Sequence, residues 1–343
     1  MIRRTRRIRR CTLIPAFLLF SIFGVGACGS HETGADETGA DDPVACDPDN
    51  GGISLPEGFC AVVFSDSTGP ARHLDVAGNG DVILAMSNRR GPDRSRIAGG
   101  GALLRDVDGD GRADEVHRFG DNGGNEVLLS GEHLWFATDN AVLRYPFQEG
   151  DDGPSGPPDT IVGGLPDQAN HTAKSLALAS GSVLFVNIGS PSNACQERPR
   201  AVGVPGMDPC PQLETRAGIW RFDATTTGQR QGDGTRYATG LRNTVALRLH
   251  PSGELFGVVH GRYQHSAAWG DIYTEEDNAT KPAEQFVRIQ EGDDFGWPYC
   301  YFDPESDTKV LAPEYGGDGN EIGRCSETKD PLINLPAHRS EER

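Results

Sequence analysis

The chain has 343 residues, 45 of them glycine and 23 proline, and a formal net charge of −18 at pH 7. So acidic a chain argues against nucleic acid, whose phosphates call for a basic surface. The density of turn formers, with no helical periodicity of any length, points to an all-β fold.

Residues 1–27 read as an export signal outside the fold. Arg3, Arg4, Arg6, Arg7, Arg9 and Arg10 form a positive leader, and an apolar run from Leu13 to Val25 follows. That run is too short for a comfortable membrane span and ends in small residues. Val25-Gly26-Ala27-Cys28 is similar to a lipobox, in which Cys28 becomes the lipidated first residue of a membrane-anchored lipoprotein facing the periplasm or cell exterior. Ordinary cleavage near Ala27 or a retained anchor are the plainer alternatives. Arg9-Arg10 hints at twin-arginine export, which the polar Thr12 weakens. Loss of the six leader arginines takes the mature charge from −18 to −24.

Residues 28–52 are acidic and rich in Gly and Asp, a composition that cannot offset its ordering entropy, and they are expected to act as a tether. With Cys11 and Cys28 set aside, Cys46, Cys60, Cys195, Cys210, Cys300 and Cys325 remain. An even number in an exported chain suggests three bridges, and nearest-neighbour pairing, Cys46–Cys60, Cys195–Cys210 and Cys300–Cys325, is the preferred of the possible connectivities. No C-x-x-C occurs, which counts against a zinc site or a redox dithiol.

From residue 53 a strand-turn-strand unit recurs. It reads LDVAGNGDVILAMS (Leu74–Ser87), VLLSGEHLWFAT (Val127–Thr138), LALASGSVLFVNI (Leu176–Ile188) and LRLHPSGELFGVV (Leu247–Val259). Its turn glycines, Gly80, Gly131, Gly181 and Gly253, lie 51, 50 and 72 residues apart. A hairpin repeating at about fifty residues is the signature of a β-propeller, expected over 53–338. The long interval holds an insertion, Ser190–Gln212, that the Cys195–Cys210 bridge would close. A sandwich or a two-domain chain is the bland alternative.

Between the first two units, Asp106, Asp108 and Asp110, followed by Asp114, form a D-x-D-x-D-G loop. Alternating oxygen ligands with a turn glycine suit a structural Ca2+. Position twelve is His117 rather than Glu, which excludes an EF-hand, and an acidic hairpin turn is the plainer reading.

His171 precedes the third unit and Arg242-Asn243 the fourth, so both fall where a propeller's inner strands enter the channel. Histidine is the usual general base near neutral pH, though a lone one is more often a turn or core residue. Arginine offers a donor fork for carboxylates or carbonyls; a surface salt bridge is its plainer role. His260-Gly261-Arg262 closes the fourth hairpin, where carbonyls beside a glycine can face a metal or a flat cofactor. Glu275, Glu276 and Asp277 read as a solvated acidic loop, and Asp294–Tyr299 as a packed corner filled by Trp297.

On these residues the chain resembles the glucose/sorbosone dehydrogenase family of soluble quinoprotein propellers, the sorbosone dehydrogenase branch most closely. The matching segments are NHTAKSLALASGSVLFVNIGSPSNAC, YATGLRNTVALRLHPSGELFGVVHGR, YTEEDNATKPAEQFVRIQEGDDFGWPYC and LAPEYGGDG, within about Leu55 to His338. The resemblance implies a six-bladed propeller binding pyrroloquinoline quinone (PQQ) and Ca2+ over its channel. It implies oxidation of an aldose or sugar aldehyde, with electrons passed to a periplasmic acceptor. His171 matches the catalytic base that takes the substrate hydroxyl proton. Arg242 and Asn243 match the pair at the reactive quinone carbonyl. Gly261 and Arg262 match the positions whose backbone carbonyls hold the calcium, with His260 beside them.

The chain departs from the family in places. Asn170 stands where some members carry Asp, an early-blade glutamine has no counterpart near Asp121–Glu126, and Arg262 replaces a proline of glucose-active members. After Pro336-Ala337-His338, residues 339–343 form an aberrant charged tail where the family continues into a Trp-containing strand. The end reads as a truncation or frameshift, with a five-bladed ring as the rival reading. A truncated chain is expected to be poorly stable and weakly active alone. Two other functional classes remain: a non-catalytic carbohydrate- or protein-binding propeller lipoprotein, and a calcium-dependent lactonase-type propeller.

Overall fold

The computed structural model of the protein describes residues 44–335 apart from Arg94, Ser180 and Pro282. The export signal, Cys28, most of the expected tether and the charged tail lie outside these residues.

The hairpin repeat becomes the inner half of four antiparallel four-stranded sheets. In the first, β1 (Ala71–Val76) pairs with β2 (Val82–Met86); a small hairpin, β3 (Arg89–Arg90) and β4 (Arg96–Ile97), projects before β5 (Gly100–Arg105) and β6 (Glu115–Phe119) complete the blade. The second runs outward as β7 (Gly124–Ser130), β8 (His133–Thr138), β9 (Val142–Pro146) and β10 (Asp159–Val162). The third comprises β11 (Leu176–Ala179), β12 (Val183–Ile188), β13 (Gly218–Asp223) and β14 (Thr235–Thr239). In the fourth, β15 (Thr244–Leu249) and β16 (Leu255–Val259) are followed by α1 (His265–Trp269), α2 (Glu275–Thr280) and β17 (Glu284–Ile289). The chain then makes a separate hairpin, β18 (Cys300–Asp303) and β19 (Thr308–Leu311), before β20 (Ile333–Leu335) returns to the outer edge of β17.

Each sheet alternates apolar side chains onto both faces, and neighbouring sheets bury them against each other. Ile83, Leu103, Val127 and Phe136 fill the first gap; Trp135, Ile161, Leu184 and Trp220 the second; Phe185, Ile219, Leu255 and Val287 the third. The inner strands β1, β7, β11 and β15 neighbour one another in that order. Packed sheets arranged around their inner strands make a propeller and exclude both the sandwich and the two-domain reading.

Blade number is where sequence and structure part. The resemblance implies a six-bladed family fold with the last blade incomplete or missing in this chain; the described residues form four four-stranded sheets, because β20 completes the fourth sheet and 290–332 is an excursion from it. No fifth four-stranded sheet occurs among the described residues.

At the hub Glu126 of β7 is buried, its Oε2 2.6 Å from His73 Nδ1 of β1 and its Oε1 3.4 Å from Arg248 Nη1 of β15. One carboxylate thus ties three blades. Glu126→Gln removes the charge that both partners face. Because His73 and Arg248 are partly solvated, the expected loss is about 1–2 kcal/mol rather than that of a fully buried pair. Thermal unfolding at low salt measures it; an unchanged Tm would show the tie to be idle.

All three nearest-neighbour disulfides form, with Cα–Cα distances of 5.8, 6.2 and 5.7 Å. Cys46–Cys60 lies at the start of the described chain. There Asp47 pairs with Arg112 and accepts the Val63 amide at 2.6 Å, so the last residues of the expected tether are docked on the propeller. Glu275, Glu276 and Asp277 are not a loop. They form the first turn of α2, where Thr274 and Asp277 make a reciprocal capping box, satisfying amides that a helix start leaves unpaired.

Candidate functional site

The segment 166–175 carries His171 from the second blade into β11, and the segment 240–243 carries Arg242 from the third blade into β15. Both end at inner strands, so the propeller brings together residues 71 positions apart. Two glycines make the approach possible. Gly240 has φ +71°, and a Cβ there would meet Asp294 Oδ1 at 2.3 Å and Gly296 N at 2.4 Å. A Cβ at Gly189 would sit 2.7 Å from the His171 Cβ.

His171 itself has φ +54°, in the sparsely populated left-handed region, where local strain of this kind is held only by surrounding contacts. Its Nδ1 lies 2.8 Å from the Ser190 carbonyl and 3.0 Å from Ser190 Oγ. A carbonyl can only accept, so Nδ1 carries the proton and Nε2 keeps its lone pair. The Ser190 amide in turn donates to the Arg242 carbonyl at 2.8 Å. One serine therefore links the two predicted residues. Burial, then the charge of Arg242, lowers the His171 pKa to about 3, with His260 and Arg200 adding to the shift and the Ser190 hydrogen bond opposing it. The imidazole is a neutral base over the whole physiological range.

Arg242 is buried, which rules out a surface salt bridge. Its Nη1 donates to the Gly261 carbonyl at 2.9 Å, and its guanidinium stacks 4.6 Å from the Tyr263 ring centroid. Nε and Nη2 make no well-formed hydrogen bond among the described residues, although Tyr263 beside them stabilises the guanidinium charge, and Asn243 Oδ1 has no hydrogen-bond partner there either. Desolvation pulls the Arg242 pKa down to about 10, still charged at neutral pH. A buried cation with two unsatisfied donors is costly, and such groups mark places where something else is to be held.

His260 Nδ1 is 3.6 Å from Glu284 Oε1, while the Gly261 amide donates to Glu284 Oε2 at 3.0 Å. The Arg262 side chain turns inward to Glu314 and to His265 Nδ1 at 3.0 Å. Of the two carbonyls expected to face a metal, that of Gly261 already accepts from Arg242, so a cation there competes with this hydrogen bond.

The partly open recess beside Arg242, Gly261 and Trp297 holds only about 20 Å³, room for a water but not for a cofactor. Any larger group must lie over its mouth. The Trp297 corner is more than filler, since its Nε1 donates to the Asn193 carbonyl at 2.9 Å and holds the disulfide-closed insertion against the site. A larger cavity, about 840 Å³, opens between the first two blades, bordered by Asn88, Arg89, Asp139, Asn140 and Asp167. It reaches the His171 segment through Asp167 and through Thr172 Oγ1, which donates to Asp139 Oδ1 at 3.4 Å.

The acidic loop is only partly the expected cluster. Asp106, Asp108 and Asp114 bring one oxygen each within 4.8 Å of one another, but Asp110 turns away to accept the Arg112 amide at 2.8 Å. The Gly109, Gly111, Asp110 and Val107 amides already occupy the other carboxylates, so the turn is organised from within.

Sequence reasoning missed Ser190, Tyr263, Glu284, Glu314 and Lys174, all of which touch the predicted residues or the segments that carry them. Only the clustering of Ser190 and Asn193 in the insertion after β12 could have pointed to any of them.

The fold and this polar mouth define a β-propeller with a candidate site assembled at the ends of its inner strands. A family model described as TrAA12-like matches residues 53–315, and the chain belongs to that family. Among solved structures it is similar to the iodide structure of the Trichoderma reesei carbohydrate-active enzyme of family AA12. Identity there is 17%, with 80% of this chain and 70% of that one covered and a TM-score of 0.59. The calcium structure of the T. reesei enzyme matches at 16% identity, covering 81% and 70%, also with a TM-score of 0.59. The holo form of the pyranose dehydrogenase PQQ domain from Coprinopsis cinerea matches at 15% identity, covering 80% and 67%, with a TM-score of 0.59. At these identities the likeness establishes the fold, and it does not single out the sorbosone branch. Comparison with curated protein sequences returns no match.

Proposed function

We propose that this protein oxidises an aldose or sugar aldehyde using PQQ and Ca2+, and hands the electrons to an acceptor in the compartment to which it is exported. The observation that carries the proposal is Arg242, a buried guanidinium with Nε and Nη2 unpaired beside a neutral His171. The guanidinium donors fit an electron-rich carbonyl oxygen, while the orphaned Asn243 Oδ1 is an acceptor and suits an N–H or O–H of the same ligand. When bound, PQQ supplies a two-electron acceptor and Ca2+ a Lewis acid that templates it.

The remaining chemistry belongs to the chain. Arg242 and Asn243 hold the cofactor's reactive edge and stabilise negative charge developing there. The carbonyls of Gly261 and Arg262, with His260 alongside, would hold the Ca2+, which at Gly261 would have to share the carbonyl with Arg242. His171 Nε2 accepts the proton of the sugar hydroxyl, its tautomer fixed by Ser190. The cavity bounded by Asp139, Asn140 and Asp167 suits a neutral polyol, since carboxylates and amides accept and donate to vicinal hydroxyls. Three disulfides accord with an oxidising compartment, and lipidation of Cys28 would anchor the propeller to a membrane there.

Titrating the protein with PQQ in the presence of Ca2+, followed by absorbance and fluorescence, tests the reading. Saturable binding reversed by a chelator, and sugar-dependent dye reduction, are expected. Sugar binding with no response to quinone would favour the non-catalytic propeller, and calcium-dependent lactone hydrolysis without quinone the hydrolase.

A further inference from the structure

Lys174 is fully buried, and among the described residues its ammonium has no carboxylate as a hydrogen-bond partner. Its ammonium instead donates to two backbone carbonyls, Pro166 O at 3.0 Å and Thr172 O. Those two carbonyls bracket the segment that contains His171. Within the bracket both Ala169 (φ +66°) and His171 (φ +54°) adopt left-handed backbone. Few amides in the segment enter a ladder; Asn170 N reaches Pro191 O only at 3.4 Å.

A buried ammonium satisfied only by carbonyls is expensive, and an apolar residue of similar length would serve packing better. Burial pushes the Lys174 pKa down to about 8. Asp139 and Asp167 oppose that shift from the second-blade side, while Arg216, ahead of β13, adds to it. Asp139 is also the acceptor for Thr172 Oγ1, so the segment's far end is held by a cation below and a carboxylate above. The side-chain Nδ2 of Asn187 donates to Ala173 O at 3.3 Å, which locks the entry to β11 behind it.

We infer that Lys174 is a positioning residue for His171: its buried ammonium clamps the carbonyls of Pro166 and Thr172 and so keeps the intervening loop in the left-handed turn that aims Nε2 outward. The inference rests on the reading of His171 as the base, but its first readout needs neither cofactor nor turnover.

The test compares Lys174→Met and Lys174→Arg in the full chain. In cofactor-free protein, the His171 ring is followed by nitrogen-15 NMR across pH. In the unsubstituted protein it is expected to stay neutral with the proton on Nδ1 down to about pH 4. Lys174→Met should mix the tautomers and move the titration back toward that of an ordinary histidine. The Tm of this variant should be unchanged or raised, because a buried charge has gone. With PQQ, Ca2+ and sugar, kcat should fall about 10- to 100-fold with KM within threefold, as misaimed groups cost turnover rather than binding. Lys174→Arg, which can also donate to two carbonyls, should recover part of both signals. An unshifted His171 titration in Lys174→Met, or an equal defect in Lys174→Arg with full folding, overturns the clamp. A shifted titration in a protein that never turns over sugar supports the clamp and counts instead against the proposed oxidation.

Discussion

His171→Ala is expected to lower kcat by about 10²- to 10⁴-fold, the usual range for a general base, while PQQ affinity and KM stay close to those of the unsubstituted protein. The reason is geometric. Nδ1 is committed to Ser190 and Nε2 is left with a lone pair, so the ring acts on the substrate hydroxyl and holds no other group in place. A parallel loss of quinone binding would instead make His171 a scaffold residue. The pH profile gives an independent check. With its pKa lowered to about 3 by burial and by Arg242, His171 does not protonate between pH 7 and pH 5, and kcat should show no acid limb near 6.5. The same shift bears on stability. Above pH 6.5 the ring is neutral folded and unfolded, so it contributes no pH dependence there. As pH falls from 6.5 toward 3 the unfolded chain takes up a proton that the folded one refuses, and stability drops. His171→Ala should flatten the acid side of the stability curve in that window.

The propeller was legible because its signal is local. The four hairpins that repeat around Gly80, Gly131, Gly181 and Gly253 are the inner strand pairs of the four sheets, and the second strands of the first three, buried on both faces, read as short apolar runs set off by the turn glycines. Outer strands were harder. Asp159–Val162 and Ile333–Leu335 are three or four residues long and carry no periodicity of their own. The return of β20 to β17 across more than forty residues is a tertiary choice with no sequence mark, and it decides the blade number. At the site, His171 and Arg242 could be paired because each sits at the same point of a repeat. Their connector, Ser190, could not, since its closer contacts to both run through main-chain groups that any residue possesses and only a 3.0 Å contact to His171 uses its hydroxyl. The acidic loop shows the converse case. Its spacing suggested four ligands, but Asp110 is claimed by the Arg112 amide, a local competition that spacing does not reveal.

Arg242→Met is expected to do two opposite things. Quinone affinity should fall at least about 100-fold, because the variant removes the buried donors that fit the cofactor carbonyl and leaves its charge uncompensated. The unloaded protein should become more stable. A pKa drawn down to about 10, chiefly by desolvation, means that the empty fold disfavours the charged guanidinium, on the order of a few kcal/mol. The hydrogen bond to Gly261 and the stacking on Tyr263 return part of that, and both are lost in the variant. The net gain is about 1–2 kcal/mol, read as a higher Tm in cofactor-free protein. Arg242→Lys separates charge from shape: it keeps the cation but not the planar fork, so it should recover little quinone binding and none of the added stability. The sign of the stability change decides between two accounts of this residue. If Arg242 were an ordinary structural arginine, Arg242→Met would lower Tm, as loss of a satisfied buried group does. A raised Tm together with lost quinone binding is the mark of a group kept under strain in the empty fold because it is satisfied only by the ligand.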